Sequence, residues 1–350
     1  MKAVHFLIPG DPDTRTGGYL YDRHIMAGLT ALGWSVTLHR LDPSFPMPTA
    51  AARQEADAVL AALPDQARVV IDGLALGTLP AAVTLHRERL RLIGLVHHPL
   101  ALETGLNETA QQQLYTSERE ALRHVRRVIV TSPHTVRALA DYAVSPARCV
   151  VVPPGTDPAP LAPVSSRSEP ILFCAASLTP RKGHAVLFHA LRRINHLPWR
   201  LRCAGSAALD PATADTLRHL AAALDLKHRI EWLGELDAAA LAVSYQQADL
   251  FVLPSWYEGY GMVLAEALAR GLPIVSTTAG AIPDTVPADA GLLVSPGDDT
   301  ALADALARVL TNSELRQRLA AGARKARKAL PDWPTVCARF AATLDAVSAP

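Results

Sequence analysis

The apolar positions of the chain fall into short runs, each bounded by polar or turn-forming residues and most followed by a stretch with helical spacing. Residues 3–8 read as a strand. A polar, Gly-rich loop follows, then a helix over about 19–32. Residues 35–38 form the next strand, and 50–63 have helical spacing. Further short strands read at 69–71, 92–96, 128–131 and 150–152. Strands that are continuously apolar and alternate with helices predict a parallel sheet covered on both faces.

The pattern breaks at 153–170. The stretch PPGTDPAPLAPVSSRSEP is rich in Pro and Ser, has no periodicity and reads as an interdomain linker. The alternation then restarts, with strands at 171–175, 201–204, 230–233, 250–253 and 274–276. The expected fold class is α/β: two doubly wound, Rossmann-like domains, residues 1–152 and 171–333, facing across a deep cleft. A last helix over 334–347 follows a Pro-Asp-Trp-Pro break, and periodicity alone does not say which domain it joins. In doubly wound sheets ligands sit beyond the carboxyl ends of the strands, so the loops there are where chemistry is sought.

Composition narrows the field. Of 350 residues, 49% are apolar and 19% charged, which supports a sizeable core and argues against disorder. The formal net charge of +1 supplies no basic field to hold nucleic acid. Arg123, Arg126 and Arg127 form a small cluster, either a membrane-surface or phosphate patch or, more commonly, a solvated helix end. The cysteines, Cys149, Cys174, Cys203 and Cys337, are far apart and include no C-x-x-C pair. That spacing fits neither a structural zinc site nor a disulfide framework, and it suits a reducing compartment. The start of the chain lacks the basic segment and long apolar stretch of a signal peptide, and no apolar run approaches a membrane span. The expectation is a cytoplasmic protein with at most peripheral membrane contact. Its arginine and alanine bias suits a GC-rich bacterial genome.

Residues 254–273, PSWYEGYGMVLAEALARGLP, carry the densest chemistry. An apolar strand runs into a loop with Glu258, Gly259, Tyr260 and Gly261, and a helix starts near Met262. The free N–H groups and dipole of such a helix start attract anions, and the glycines admit a ligand to the backbone. Glu258 lies in the loop and Glu266 about one turn into the helix. Carboxylates repel phosphate, so their natural partners are hydroxyls. A diphosphate at the helix start flanked by sugar hydroxyls accounts for both acids. A plain structural turn with a surface glutamate is the competing reading of this segment alone.

Other strand ends add candidates. Arg181 and Lys182, in LTPRKGH after the strand 171–175, can neutralise a diphosphate leaving group or simply be solvated. Gly18, in Thr-Gly-Gly-Tyr before the first helix, offers a second backbone anion site on weaker evidence. His97 and His98 follow the strand 92–96 and suit hydroxyl binding or acid–base work, or a structural role. Neither has further ligands nearby at metal spacing, so no metal is expected. Glu103, just beyond, is an acceptor contact or a cap.

Taken together these segments resemble glycosyltransferase family 4, with the two-domain GT-B fold. Glu258 and Glu266 match its E-x7-E motif as EGYGMVLAE, and DLFVLPS, GLPIVS, Gly280 and GLLVSPGD match the flanking pattern. The resemblance implies a retaining transfer from a nucleotide diphosphate sugar, UDP- or GDP-linked, to a hydroxyl acceptor, with no metal and no cofactor. It implies that Glu266 bonds the ribose and that Glu258 holds the donor sugar at its anomeric carbon. Gly261, Met262 and Val263 would bind the diphosphate through their backbones, and Lys182 would stabilise it as it leaves. Leu233, Gly234 and Glu235 lie where the family contacts the base, and Gly18 would approach the diphosphate from the other domain. One of His97 and His98 would face the transferred sugar, His97 being favoured because it directly follows the strand. The helix over 334–347 would return to the first domain. One departure stands out: Ser177 occupies the place of an arginine found in many members. The expected partners are therefore a nucleotide sugar and a soluble small-molecule or glycan acceptor. A nucleotide-sugar epimerase of the same fold, or a non-catalytic sugar-nucleotide-binding protein, are the alternatives.

Overall fold

The computed structural model describes residues 2–163 and 167–347; within the expected linker, 164–166 lie outside the described residues. The described chain divides into two compact units. One holds the residues up to Gly155 and from Pro331 onward, and the other holds Thr156–Leu330.

The first unit contains a six-stranded sheet of β1 (Ala3–Pro9), β2 (Ser35–Leu41), β3 (Arg68–Asp72), β4 (Arg91–Val96), β5 (Arg127–Val130) and β6 (Cys149–Val151), ordered β2-β1-β3-β4-β5-β6. All neighbours are parallel. Its helices are α1 (Gly17–Ala31), α2 (Ala50–Ala62), α3 (Gly73–Leu76), α4 (Pro80–His86), α5 (Glu108–Arg123) and α6 (Pro133–Leu139). The central strands are apolar on both faces because helices cover both: Val69, Val70, Ile71, Leu92 and Ile93 are wholly buried.

The second unit repeats the plan. Strands β7 (Ile171–Ala175), β8 (Arg200–Ala204), β9 (Ile230–Gly234), β10 (Leu250–Leu253), β11 (Ile274–Thr277) and β12 (Gly291–Val294) are ordered β12-β11-β10-β7-β8-β9, again parallel. Helices α7 (His184–Arg193), α8 (Pro211–Ala223), α9 (Ala238–Gln247), α10 (Met262–Ala269), α11 (Ile282–Thr285), α12 (Asp299–Thr311) and α13 (Ser313–Ala326) surround it. The edge strand β12 was not expected as a strand; only its Gly-Leu-Leu-Val motif stood out in the sequence. Each sheet has one place where chain order reverses, between β1 and β3 in the first unit and between β7 and β10 in the second. In doubly wound sheets ligands bind beyond the strand ends at such a reversal.

The last helix, α14 (Trp333–Asp345), packs on α1 within the first unit. Gly28 permits this, since a Cβ there would lie 2.1 Å from the Cys337 sulfur. Phe340 stacks on Phe6 of β1 at 6.0 Å, and Trp333 lies flat on His24 at 3.9 Å. Burying each such side chain contributes roughly 1.5–3 kcal/mol.

Arg123, Arg126 and Arg127 each make a bond to the protein. Arg123 pairs with Glu120 at 3.2 Å, while Arg126 and Arg127 donate to the carbonyls of Arg87 and Ala147, each at 3.2 Å. All four cysteines are free. Among the described residues, no helix is long and apolar enough to cross a membrane.

Candidate functional site

In the second unit the loops after β7 and β10 meet at the switch point. They are bonded to each other: the Trp256 N–H donates to the Arg181 carbonyl at 2.8 Å, and the Arg181 guanidinium donates to the Tyr257 carbonyl at 2.9 Å. Gly183 makes the approach possible. It sits at φ +71°, and a Cβ would fall 2.0 Å from the Pro254 carbonyl oxygen.

This contact sets Lys182 against Glu258. The Lys182 ammonium donates to Glu258 Oε1 at 2.6 Å, and the Ser255 hydroxyl donates to the same oxygen at 2.7 Å. Arg181 Nη1 stands 3.8 Å from Oε2. Glu258 is only 5% exposed and Ser255 is fully buried. Burial alone would push the Glu258 carboxyl up, but Lys182 and Arg181 outweigh it and hold it below the usual glutamate range. Burial draws Lys182 down from the usual lysine range, opposed by Glu258. The backbone of Glu258 is fixed from the β11 side: its carbonyl accepts from the Ala281 N–H at 2.8 Å, and Gly280, at φ +57°, would place a Cβ 2.2 Å from that oxygen.

The chain then turns through Gly259 and Tyr260, whose carbonyl accepts from the Thr285 hydroxyl at 2.8 Å. Burial pushes the Tyr260 phenol up to about 12. Gly261 starts α10 in the left-handed region, at φ +83°, with no side chain capping the helix. The first N–H groups of a helix have no intrahelical acceptor, so the backbone of Gly261, Met262 and Val263 presents donors and a positive dipole end. Glu266, one turn on, is half-buried. Burial raises its carboxyl, opposed by a hydrogen bond from Tyr245 and by Arg270. Leu233 and Gly234 end the edge strand β9, two strands from β7, and Glu235 follows it. Gly234 is at φ +65° with open space where a Cβ would be. The second unit thus gathers Arg181, Lys182, Glu258 and the α10 start closely, with β9's end further along the same rim. Ser255 was not singled out in the sequence. Its place three residues before Glu258, directly past an apolar strand, was the available signal.

In the first unit the two histidines part company. His98 turns to Glu103, with Nε2 3.2 Å from Oε2. His97 turns inward, its Nε2 3.3 Å from Asp22 Oδ1 and 3.5 Å from Asp72 Oδ2. Thr16 caps α1, and Gly18 on its first turn faces His97, where a Cβ would make an ordinary van der Waals contact of 3.4 Å with the imidazole Cδ2. Burial opposes a charge on His97, but the two carboxylates outweigh it and raise its pKa. Asp22 and Asp72 went unnoticed in the sequence. Asp22 does interrupt the buried stripe of α1, Tyr21, Ile25 and Leu29, and Asp72 ends an apolar strand.

Two family models match. Glycosyltransferase Family 4 covers residues 4–160, and Glycosyl transferases group 1 covers residues 159–326. The chain belongs to glycosyltransferase family 4. Curated relatives include the D-inositol 3-phosphate glycosyltransferase of Corynebacterium efficiens, 32% identical over 65% of this chain and 60% of that protein. Another is the MMP alpha-(1->4)-mannosyltransferase of Mycolicibacterium hassiacum, 28% identical over 79% and 70%. The match to the first of these thus spans about three fifths of the relative's length. Among solved structures, sucrose-phosphate synthase from Thermosynechococcus elongatus aligns over 99% of this chain and 100% of that one, with a TM-score of 0.81 at 23% identity. Anabaena HepE in complex with UDP and glucose aligns over 97% and 99%, with a TM-score of 0.75 at 17% identity. At these identities the structures establish the fold, which is GT-B.

Proposed function

We propose that the family 4 chain is a retaining transferase that moves a sugar from a UDP- or GDP-linked donor to a hydroxyl of a small cyclitol, sugar or glycan. The observation that carries this reading is the Lys182–Glu258 pair at the β7/β10 switch point, set directly before the uncapped start of α10. The acceptor class follows the printed names of the curated relatives, an inositol phosphate glycosyltransferase and a mannosyltransferase.

The donor diphosphate lies at the N–H groups of Gly261, Met262 and Val263 and competes with Glu258 for Lys182. Arg181 stays within reach and supplies the cation that Ser177 does not. Glu266 accepts from ribose hydroxyls, and Leu233 to Glu235 flank the base. As the bond between the anomeric carbon and the diphosphate breaks, the electron pair leaves with the phosphate. Lys182 and the helix dipole stabilise that charge. The acceptor oxygen bonds the anomeric carbon from the same face, and its proton passes to the leaving phosphate oxygen. Glu258, freed from Lys182, faces the positive charge at the sugar. Losing one such preorganised charge typically costs roughly 10²–10³ in kcat.

The test is a donor screen. The protein is incubated with UDP- and GDP-sugars, with and without inositol phosphates and simple sugars, and released nucleotide is measured. The reading expects release from one donor class, increased by an acceptor and abolished by Glu258→Ala. Full turnover in that variant, or interconversion of the sugar nucleotide without an acceptor, overturns it.

A further inference from the structure

Glu118 stands where the pattern of α5 calls for an apolar residue. The buried stripe of that helix runs Leu114, Glu118, Ala121 and Leu122, while Arg119 beside it is exposed. Glu118 is 1% exposed. The groups that act on it are the Leu100 N–H and the nearby Tyr142 hydroxyl, and neither carries a charge. Burial therefore pushes its carboxyl up to about 8, and at neutral pH it keeps its proton. A buried acid of this kind is costly to retain for packing alone, so the bond it makes is the place to look for its use.

That bond goes to the loop between β4 and α5. Glu118 Oε2 accepts from the Leu100 N–H at 2.9 Å, and Leu100 opens a single 3-10 turn, Leu100–Leu102, directly after His97, His98 and Pro99. Helix α5 grips the turn a second time: the Gln111 side-chain amide donates to the Ala101 carbonyl at 3.0 Å. Leu100, Ala101 and Leu114 pack together beneath it. Gly77 makes room for this arrangement, since a Cβ there would lie 2.5 Å from Leu100 Cδ1 and 3.3 Å from Glu118 Cβ. The loop so held carries His97 and the His98–Glu103 pair just past the carboxyl end of β4, where doubly wound sheets bind their ligands.

We propose that Glu118 is a positioning residue: its neutral carboxyl pins the β4–α5 loop and thereby sets His97 and His98 for the substrate. The effect on turnover rests on the transferase reading, whereas the order of the loop does not. Charges on the surrounding elements are engaged elsewhere. His86 of α4 faces Asp57 and Arg87 faces His124, while Glu120 of α5 takes both Arg123 and His124. His98 faces Glu103, and Tyr115, whose ring lies 4.8 Å from that of Tyr142, donates to the carbonyl of the exposed Asp141. An ionised Glu118 thus meets no cation. Solvating it requires water to enter where Leu100, 3% exposed, is packed. The proton keeps the loop in place below the folded value, and raising the pH through that value loosens it.

The test compares full-length wild type, Glu118→Gln and Glu118→Leu. Hydrogen exchange of the amides between His98 and Leu106 reads the loop without any ligand, with the β3 amides as internal control. At about pH 6.5 wild type and Glu118→Gln should exchange alike, because the carboxamide still accepts from the Leu100 N–H. Glu118→Leu should exchange there at least about tenfold faster, since it leaves a buried donor unpaired. At about pH 9, wild type should exchange severalfold faster than Glu118→Gln in the loop and equally in β3; comparing two proteins at one pH cancels the intrinsic pH dependence. Nucleotide release from UDP- and GDP-sugars reads the consequence. The ratio of kcat/KM, Glu118→Gln over wild type, should be near one in the acid and rise in alkali, and Glu118→Leu should lose up to about 10²-fold, the scale of a small misplacement. Equal loop exchange by wild type and Glu118→Gln at about pH 9 overturns the proposal, whether or not the leucine variant folds. So does a loosened loop with unchanged kcat/KM. The expected exchange with no release from any donor upholds the pin and sinks only the transferase reading.

Discussion

Replacing Lys182 with Met removes a cation from a carboxylate that has nowhere to go. The Lys182 and Glu258 side chains are 16% and 7% exposed, so the pair is buried rather than screened by solvent. Removing one member of a buried pair typically costs 3–5 kcal/mol, because the survivor's charge remains desolvated. Here the Ser255 hydroxyl still donates at 2.7 Å and Arg181 remains at 3.8 Å, which places the expected loss near the lower end, about 3 kcal/mol. Lys182→Met/Glu258→Gln deletes both charges, and its loss should be well below the sum of the single losses. Urea unfolding at pH 7 measures both. The buried Trp199, against which the Arg229 guanidinium stacks at 3.7 Å, is a fluorescence reporter of the second unit. The pH dependence gives a second check. Glu258 has a depressed folded pKa, so its contribution is present above the ordinary glutamate range and is lost as pH falls through the folded value. The deficit of Lys182→Met should therefore shrink in acid. A single variant within about 0.5 kcal/mol of wild type at pH 7 would refute the argument, since that is the scale of an exposed surface change. A double variant showing the full additive loss would refute it as well.

Three further outcomes are expected. Glu118, 1% exposed in α5, accepts from the Leu100 N–H at 2.9 Å, and burial raises its carboxyl to about 8. The folded state therefore holds a proton that the unfolded chain releases. Stability should fall by up to about 1.4 kcal/mol per pH unit between pH 5 and 8, and Glu118→Gln should flatten that slope in thermal melts; parallel curves would count against it. Gly280→Ala forces a left-handed φ on alanine and a Cβ 2.2 Å from the Glu258 carbonyl oxygen. It should cost more than about 1 kcal/mol and depress nucleotide release beyond what its melting temperature explains, and unchanged turnover would contradict the placement of Glu258. Trp333→Ala strips a side chain that is 8% exposed and stacked on His24, so a loss of about 3–5 kcal/mol in the first unit's unfolding transition is expected, whereas a loss under 1 kcal/mol would mean that α14 is not integral to it.

What the sequence shows and what it hides divide along physical lines. Period and composition locate β1, β7 and β10 within a residue or two, because continuous apolar runs between helices have few other uses. The four-residue β12 escapes, since Gly-Leu-Leu-Val is short enough to pass for a loop motif. The glycine at 261 is legible as a turn former, but the atoms that glycines spare are not: only the fold shows that Gly280 makes room for the Glu258 carbonyl and Gly183 for that of Pro254. Partnerships are hidden most of all. Lys182 and Glu258 are 76 positions apart and meet because β7 and β10 are neighbours in the sheet although two strands intervene in the chain. The same reversal in the first unit carries Asp72 to Asp22 and His97. Spacing along the chain offers His97 no partners, because doubly wound sheets build their sites from strand ends rather than from neighbouring residues. The informative sequence signal in such a fold is therefore a charge at the boundary of an apolar element. Asp72 closing β3 satisfies it, Glu258 follows in the loop after β10, and Asp22 gives the related signal of a charge within the buried stripe of α1.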